Sequence, residues 1–375
     1  MSPAPLIRRN DEVLGGTSPD ATTHSDAAIE WHRALPYTRL TDYGMDPADA
    51  HELLRRTARG EEWTSAGLEI GRRQLDRYTT CAKRGHMVTA REAAGAAAAA
   101  LNIAQVPLSF DGPTKLSVYL EHEEAVGLYA ARRGRMEQLA LEGEGGPVQG
   151  WLVLPSADAI GTVILWGGLS GWGASYLSAA ESLSARGMAC ILAEGPGQGM
   201  TRLRSRIFGR EETLPGYARF IDFAVTDHRL AGAPIGIQGN SFGGLIAARL
   251  TAQDDRVAAC AVNCAPSAVN APPVRSAREQ ILAFVGTDQM AMADEVLDGL
   301  RYDPNRHQIG VPLLVLHGGA DPFVTEENTR AFLSGARHHD TQILIWPDGE
   351  HTLYNHAAER NAAIADWFAD QLTHT

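Results

Sequence analysis

The chain is short of positive charge and of cysteine. Against 45 acidic residues stand 33 lysines and arginines, giving a net charge of −12. So few basic residues exclude the positive patches that nucleic acid or an anionic membrane requires. The four cysteines, Cys81, Cys190, Cys260 and Cys264, show no paired-ligand spacing for zinc, and Cys190 falls inside an expected buried strand. A reduced, cytoplasmic protein is the simplest reading. Long apolar runs are also missing: the longest, residues 93–104, is alanine-rich and too short to span a bilayer. The first five residues, Met1-Ser2-Pro3-Ala4-Pro5, carry no apolar segment with a basic flank, so no secretory signal is expected. The loop 194–199 (EGPGQG) lacks both the G-K-[S/T] ending and the G-x-G-x-x-G spacing of phosphate loops. It reads as a structural turn at a sheet edge.

What is present is a G-x-S-x-G pattern, Gly239-Asn240-Ser241-Phe242-Gly243, between a short apolar strand (234–238) and a run of helix formers (244–250). A serine on such a strand-to-helix turn has its hydroxyl lifted clear of the sheet, and the next backbone N–H is free to bind an oxyanion. Ser241 is the candidate nucleophile. A hydroxyl at its ordinary pKa needs a base, and in this arrangement the chain order is Ser, then Asp or Glu, then His. Residues 311–322 (VPLLVLHGGADP) read as a buried strand that runs out into a glycine-containing loop, with Asp321 just past its carboxyl end. Residues 341–346 read as the last strand, and the loop 347–351 (PDGEH) delivers His351 to the same edge.

Thirteen histidines compete for the role of base. His317 is the nearest rival, but it precedes the acid in the chain and is expected to serve its loop by hydrogen bonding. His338 and His339 occupy a polar loop, and His228 an expected helix ahead of the serine. For the acid, Asp348 is the alternative, although its Pro-Asp-Gly setting is what a turn uses for its own hydrogen bonds. Asp321 is preferred for its place at a strand end. For the oxyanion hole one N–H is expected from Phe242 and the second from the loop 167–171 (GGLSG), with Leu169, beside Gly168, as the donor.

The chain divides by texture. Residues 1–25 are polar and turn-rich and are expected to be flexible; residues 26–135 read as a helical region and 136–375 as a catalytic α/β unit. Within the helical region, Asp46-Pro47 opens a helix to about Arg59, a second runs from Ser65 to Lys83, Thr89 and Glu92 form a capping box, and a last helix covers 115–132. From Met136 onward eight strands are expected, at 136–141, 150–154, 162–166, 188–193, 235–238, 257–263, 312–316 and 341–346, alternating with helices. That pattern implies a mostly parallel sheet covered on both faces, and 44% hydrophobic residues suffice for its core.

With the elbow at Ser241, the acid loop at Asp321 and the ending Asp348-Gly349-Glu350-His351, the chain resembles an α/β-hydrolase. Together with the segment 85–92 (GHMVTARE) and the loop 194–199, these motifs make it similar to the branch holding 2,6-dihydroxypseudooxynicotine hydrolase, FrsA-like esterases and fungal polyketide-shortening hydrolases. The resemblance covers roughly residue 60 to the C-terminus. It implies a cofactor-free, metal-free Ser-His-Asp enzyme whose N-terminal helices cap the substrate pocket, often as a homodimer. Members cleave esters or C–C bonds next to carbonyls in small cyclic or polyketide-like molecules. Some C–C-cleaving members add a carboxylate after the elbow, and the stretch 264–273 has none. An acyl-eliminating lyase on the same three residues and a non-catalytic binding protein on the same fold are the alternative readings.

Overall fold

The computed structural model describes residues 26–269 and 274–373. The expected flexible segment 1–25 and residues 270–273 of the stretch without a carboxylate lie outside the described residues. Ahead of the first strand come α1 (Asp26–Ala34), α2 (Tyr37–Asp42), α3 (Pro47–Ala58), α4 (Trp63–Lys83), α5 (Met87–Gln105) and α6 (Pro113–Arg133). The start of α3 follows from local chemistry: Asp46 Oδ1 accepts the Ala48 N–H at 2.8 Å, and Pro47 at the first position has no donor to satisfy.

The start of α5 departs from expectation. Thr89 does not cap it; the helix begins at Met87, and Thr89 and Glu92 lie within its first turns. The cause is the tight turn after α4, where Gly85 takes φ +77° and the His86 N–H bonds back to the Cys81 carbonyl. The His86 carbonyl is thereby placed to receive the Ala90 N–H at 2.9 Å, which starts the helix early. Helices α1 and α2 occupy the start of the expected helical region, before Pro47, where the hydrophobic pattern bounds no individual helix. Both are too short to be stable alone, and burial of Trp31 and Leu40 against the core supplies what their length does not.

From Met136 the chain alternates. The strands are β1 (Met136–Leu141), β2 (Val148–Val153), β3 (Thr162–Trp166), β4 (Ala189–Glu194), β5 (Ile235–Asn240), β6 (Val257–Asn263), β7 (Leu313–Gly318) and β8 (Thr341–Trp346), all within two residues of their expected bounds. The helices among them are α7 (Leu177–Ser184), α8 (Gly199–Leu203), α9 (Leu214–Thr226), α10 (Phe242–Thr251), α11 (Arg275–Val285), α12 (Met290–Leu300), α13 (Glu326–Gly335) and α14 (Ala357–Thr373). Strand order is β1-β2-β4-β3-β5-β6-β7-β8. Strands β3 to β8 are mutually parallel and β2 is antiparallel to both neighbours, so all strands but β2 end at one edge of the sheet. This is the α/β-hydrolase architecture, with a helical region in front of it.

Every residue of β3, β4, β5 and β7 is buried, as a sheet covered on both faces demands. Alternation along β3 shows what covers each face. Ile164 and Trp166 join a cluster with Phe242, Leu245 and Phe284. Val163 and Leu165 join the other cluster, which also contains Trp31 and Leu40 of the first two helices, Leu35 between them, and Ala97 and Val126 of α5 and α6. The helical region therefore completes the core on one face of the sheet. Among the described residues no helix is long and apolar enough to cross a membrane.

Candidate active site

Ser241 stands between β5 and α10 with φ 53° and ψ −124°, a conformation that costs a non-glycine residue roughly 1–3 kcal/mol. The turn is held by the Ser241 N–H, which donates to the Asn263 carbonyl at 2.9 Å, and by the absence of side chains around it. A Cβ on Gly239 would collide with the Gly243 carbonyl, and one on Gly243 with the carbonyls of Trp166 and Gly167. These glycines are what allow the elbow to sit against the end of β3. Non-glycine residues with positive φ gather here: Cys264 just past β6, and Thr352 and Leu353 directly after His351, join Ser241. Such strain persists where surrounding structure over-determines it, which is common at working sites.

The structure brings Ser241, His351 and Asp321 together. His351 Nε2 lies 2.9 Å from Ser241 Oγ, and His351 Nδ1 lies 2.8 Å from Asp321 Oδ2. The other carboxylate oxygen, Oδ1, accepts the N–H groups of Phe323 (2.8 Å) and Val324 (3.0 Å). A carboxylate accepts only, so the imidazole proton belongs on Nδ1 and Nε2 is left to accept from the serine hydroxyl. The Asp321 side chain is 0% exposed and that of His351 14%. The Phe323 ring meets His351 edge-on, centroids 5.1 Å apart.

The rival residues lie elsewhere. Asp348 is 77% exposed and pairs with His356 at 3.0 Å. His317 is buried in β7, its Nδ1 3.1 Å from the Thr329 hydroxyl. His228 falls in the turn after α9 instead of within a helix, because α9 ends at Thr226. Cys264 is buried near Asp321, and burial pushes its thiol up to about 12, so it remains protonated and is a poor nucleophile.

Opposite Ser241 runs the loop 167–171. A Cβ built on Gly168 would stand 3.2 Å from Ser241 Cβ and 3.5 Å from its Oγ, so a side chain there would crowd the hydroxyl. Gln198, from the loop 194–199, donates its side-chain amide to the carbonyls of Gly167 (2.6 Å) and Gly168 (3.1 Å). In a planar trans peptide the carbonyl and the following N–H point opposite ways. Anchoring those two carbonyls on Gln198 therefore turns the N–H groups of Gly168 and Leu169 away from Gln198. The Trp172 indole fixes the next peptide by donating to the Leu169 carbonyl at 3.1 Å. On the elbow side, Phe242 opens α10, and a helix leaves its first N–H groups without an intrahelical acceptor.

Gln198 and Asn263 escaped the sequence reading. The loop 194–199 is the structural turn expected, yet its one amide side chain reaches across to the loop beside Ser241. Asn263 donates to Asn240 Oδ1 (2.7 Å) and to the Thr352 carbonyl (3.1 Å), tying the elbow strand to the histidine turn. A lone amide in a glycine-rich loop and an asparagine at a strand end were the available signals, and neither carries a spacing.

Residues 157–302 and 289–357, together more than half of the chain, match the family model Hydrolase_4, described as serine aminopeptidase, S33. The chain is 27% identical over 215 residues to 2,6-dihydropseudooxynicotine hydrolase of Paenarthrobacter nicotinovorans, a match over 56% of this chain and 57% of that protein. It thus spans less than two thirds of that relative. The crystal structure of 2,6-dihydroxy-pseudo-oxynicotine hydrolase is similar at a TM-score of 0.80 and 20% identity, covering 90% of this chain and 96% of the other. The structure of wild-type AbyA5 is similar at 0.69 and 17% identity, over 92% and 99%. These two likenesses show that the shared fold extends to the helical region.

Proposed function

This chain belongs to the Hydrolase_4 family, serine aminopeptidase S33, and on that premise we propose that it is a serine hydrolase that cleaves an ester, or a C–C bond next to a carbonyl, in a small cyclic or polyketide-like metabolite. One observation carries the reading: the unbroken line from Asp321 Oδ2 through the His351 ring to Ser241 Oγ, at 2.8 and 2.9 Å, on a strained elbow. In this reading His351 takes the proton of Ser241 as its oxygen attacks the substrate carbonyl. Asp321 holds the imidazole tautomer and stabilises the imidazolium. The N–H groups of Phe242 and Leu169, with Gly168 alongside, receive the oxyanion. His351 then protonates the leaving group, an alkoxide or a stabilised carbanion, and water releases the acyl group from Ser241. The pseudooxynicotine hydrolase supports the class of small cyclic substrate.

A fluorophosphonate probe should add one adduct, on Ser241, read by intact mass and peptide mapping. No adduct on the folded wild-type protein refutes the assignment and favours a binding role, and an adduct elsewhere refutes the choice of Ser241 as nucleophile. Ser241→Ala and His351→Ala should each lower kcat on an activated ester by on the order of 10⁴-fold or more, and the double variant should be hardly worse, because the residues act as a unit. Asp321→Asn should cost about 10⁴-fold by imposing the wrong tautomer. Asp348→Asn should leave kcat within about twofold, as expected of an exposed residue outside the hydrogen-bonded line.

A further inference from the structure

The helix α2 lies outside the residues matched by the family model, yet its side chains reach both loops that flank Ser241. Arg39 is buried, and its Nη2 donates to Ser170 Oγ at 2.8 Å, in the loop 167–171, and to Tyr43 Oη at 3.2 Å. Its Nη1 donates to the Ala34 carbonyl at 2.9 Å. The same guanidinium lies 5.5 Å from the ring centroid of Tyr354, which belongs to the turn His351–His356. One cation therefore touches the loop beside Ser241 on one side and the histidine turn on the other. Thr38, one residue earlier, donates its hydroxyl to Glu350 Oε2 at 2.5 Å, next to His351. Asp42, one helical turn after Thr38, receives both Arg360 Nη atoms at 2.8 and 2.9 Å, and Arg360 Nη1 also donates to the Thr352 carbonyl at 2.8 Å.

We propose that α2 is a positioning clamp, in which Arg39, seconded by Thr38 and Asp42, fixes the separation between the loop 167–171 and the histidine turn. The proposal rests on reading the site as that of a serine hydrolase. Arg39 is a positioning residue, since its contacts are to Ser170, Tyr43, Tyr354 and the Ala34 carbonyl and not to the Ser241 hydroxyl or the His351 imidazole. Its planar fork suits it to the task, because several partners are held at once in fixed directions. Without it Ser170 loses its anchor, and the peptides of Gly168 and Leu169 are held only from the Gln198 and Trp172 side. A misplacement of about 1 Å in such a site costs on the order of 100-fold in rate.

The test is inactivation of the full-length protein by a fluorophosphonate, with kinact separated from KI by varying probe concentration. Arg39→Gln should lower kinact by about 10- to 100-fold and leave KI within about twofold. Ser170→Ala should lower kinact by several-fold, roughly the net worth of one ordinary hydrogen bond, and the double variant should be no slower than Arg39→Gln. A purely structural role would lower the fraction of protein that labels, or the melting temperature, and leave kinact of the labelled fraction unchanged. That outcome overturns the clamp. Should Arg39→Gln not fold, Ser170→Ala decides alone, since it leaves α2 intact; unchanged kinact there overturns the proposal. A wild-type protein that takes no label overturns the hydrolase reading itself, a failure distinct from equal kinact in wild type and variants.

Discussion

The sheet and the helical region ahead of it fill their interiors differently. Strands β3, β4 and β7 are buried throughout with almost wholly apolar side chains. The helical region buries Arg39, Asp42, Asp49, Lys115, His122 and Glu123 as well as its alanines and leucines. Each of these polar groups needs a particular partner. Asp49 binds Arg73 and Gln74 at 2.6 Å, and Lys115 donates to the carbonyl of Leu108 at 2.5 Å. Three buried charges of the α/β region face the helices: Arg360 meets Asp42, Arg202 meets Asp111, and Glu194 meets Tyr119, while Arg249 pairs with Glu211 within its own region. Apolar burial is non-directional, whereas a buried polar network is satisfied in one arrangement only. The sheet is thus a scaffold, and the seam between the two regions specifies how the helices sit on it.

The strongest way to break this comparison is to remove one side of the seam. A chain beginning near Met136 would strip Tyr43 from Tyr176 and Tyr354 and Tyr119 from Trp172, and leave Arg360 buried without its carboxylate. No soluble, cooperatively folding product is expected, by size-exclusion chromatography and urea unfolding. A monomeric fragment with a sharp urea transition would mean that the α/β region is complete on its own, and the helical region an accessory.

The same contrast explains what the sequence disclosed. The sheet was legible because each strand is a short apolar run of period two or fully buried, a local pattern. The elbow was legible because its glycines and serine must be adjacent in the chain, and the Asp321 and His351 loops because they end recognisable strands. The clamp was not legible. Arg39 and Ser170, Thr38 and Glu350, and Asp42 and Arg360 are separated by 131, 312 and 318 residues. No spacing within a window connects such pairs, and a helix of six residues gives too few apolar positions for a period. Thr89 misled because a capping box is also what an exposed first turn looks like, and only the φ of Gly85 shows where α5 begins.

A smaller effect sharpens the difference in how the two interiors are held. Asp42→Ala leaves the buried Arg360 guanidinium without its counter-charge and should destabilise by about 3–5 kcal/mol. Leu165→Ala, at a fully buried position in β3, should cost about 2–5 kcal/mol through the cavity it opens. Urea midpoints measure both. The two losses differ in what repairs them. Joining Asp42→Leu with Arg360→Met removes both charges and should recover most of the first loss, since apolar replacement of a whole buried pair is often neutral. If that double variant were as unstable as Asp42→Ala alone, the pair would owe its place to contacts beyond its charges.

The smallest expected effect is a dependence on pH that originates in the helical region. His122 on α6 is buried, its Nδ1–H donates to the Ala98 carbonyl at 2.9 Å, and burial pushes its pKa down to about 4. Its Nε2 lies 3.9 Å from Glu123, whose carboxyl burial pushes well up, helped by the charge of Glu194; Glu194 is itself raised by burial. The two directions mark His122 and Glu123 as neutral neighbours and not as an ion pair. An unfolded chain binds a proton at the histidine below about pH 6.5, whereas the folded one does not until about pH 4. Stability from this group is therefore complete above pH 6.5 and is lost as pH falls toward 4, by up to about 3 kcal/mol. The raised carboxyls act with the opposite sign: the folded chain holds their protons above the ordinary 4.5, so their contribution is lost as pH rises from there. His122→Gln keeps a donor for Ala98 and removes only the first dependence. Between pH 6.5 and 4, urea unfolding of this variant should fall less steeply than wild type, by about 1.4 kcal/mol per pH unit at most. Parallel slopes for the two proteins would show that His122 titrates alike in the folded and unfolded chain and that its burial carries no electrostatic cost.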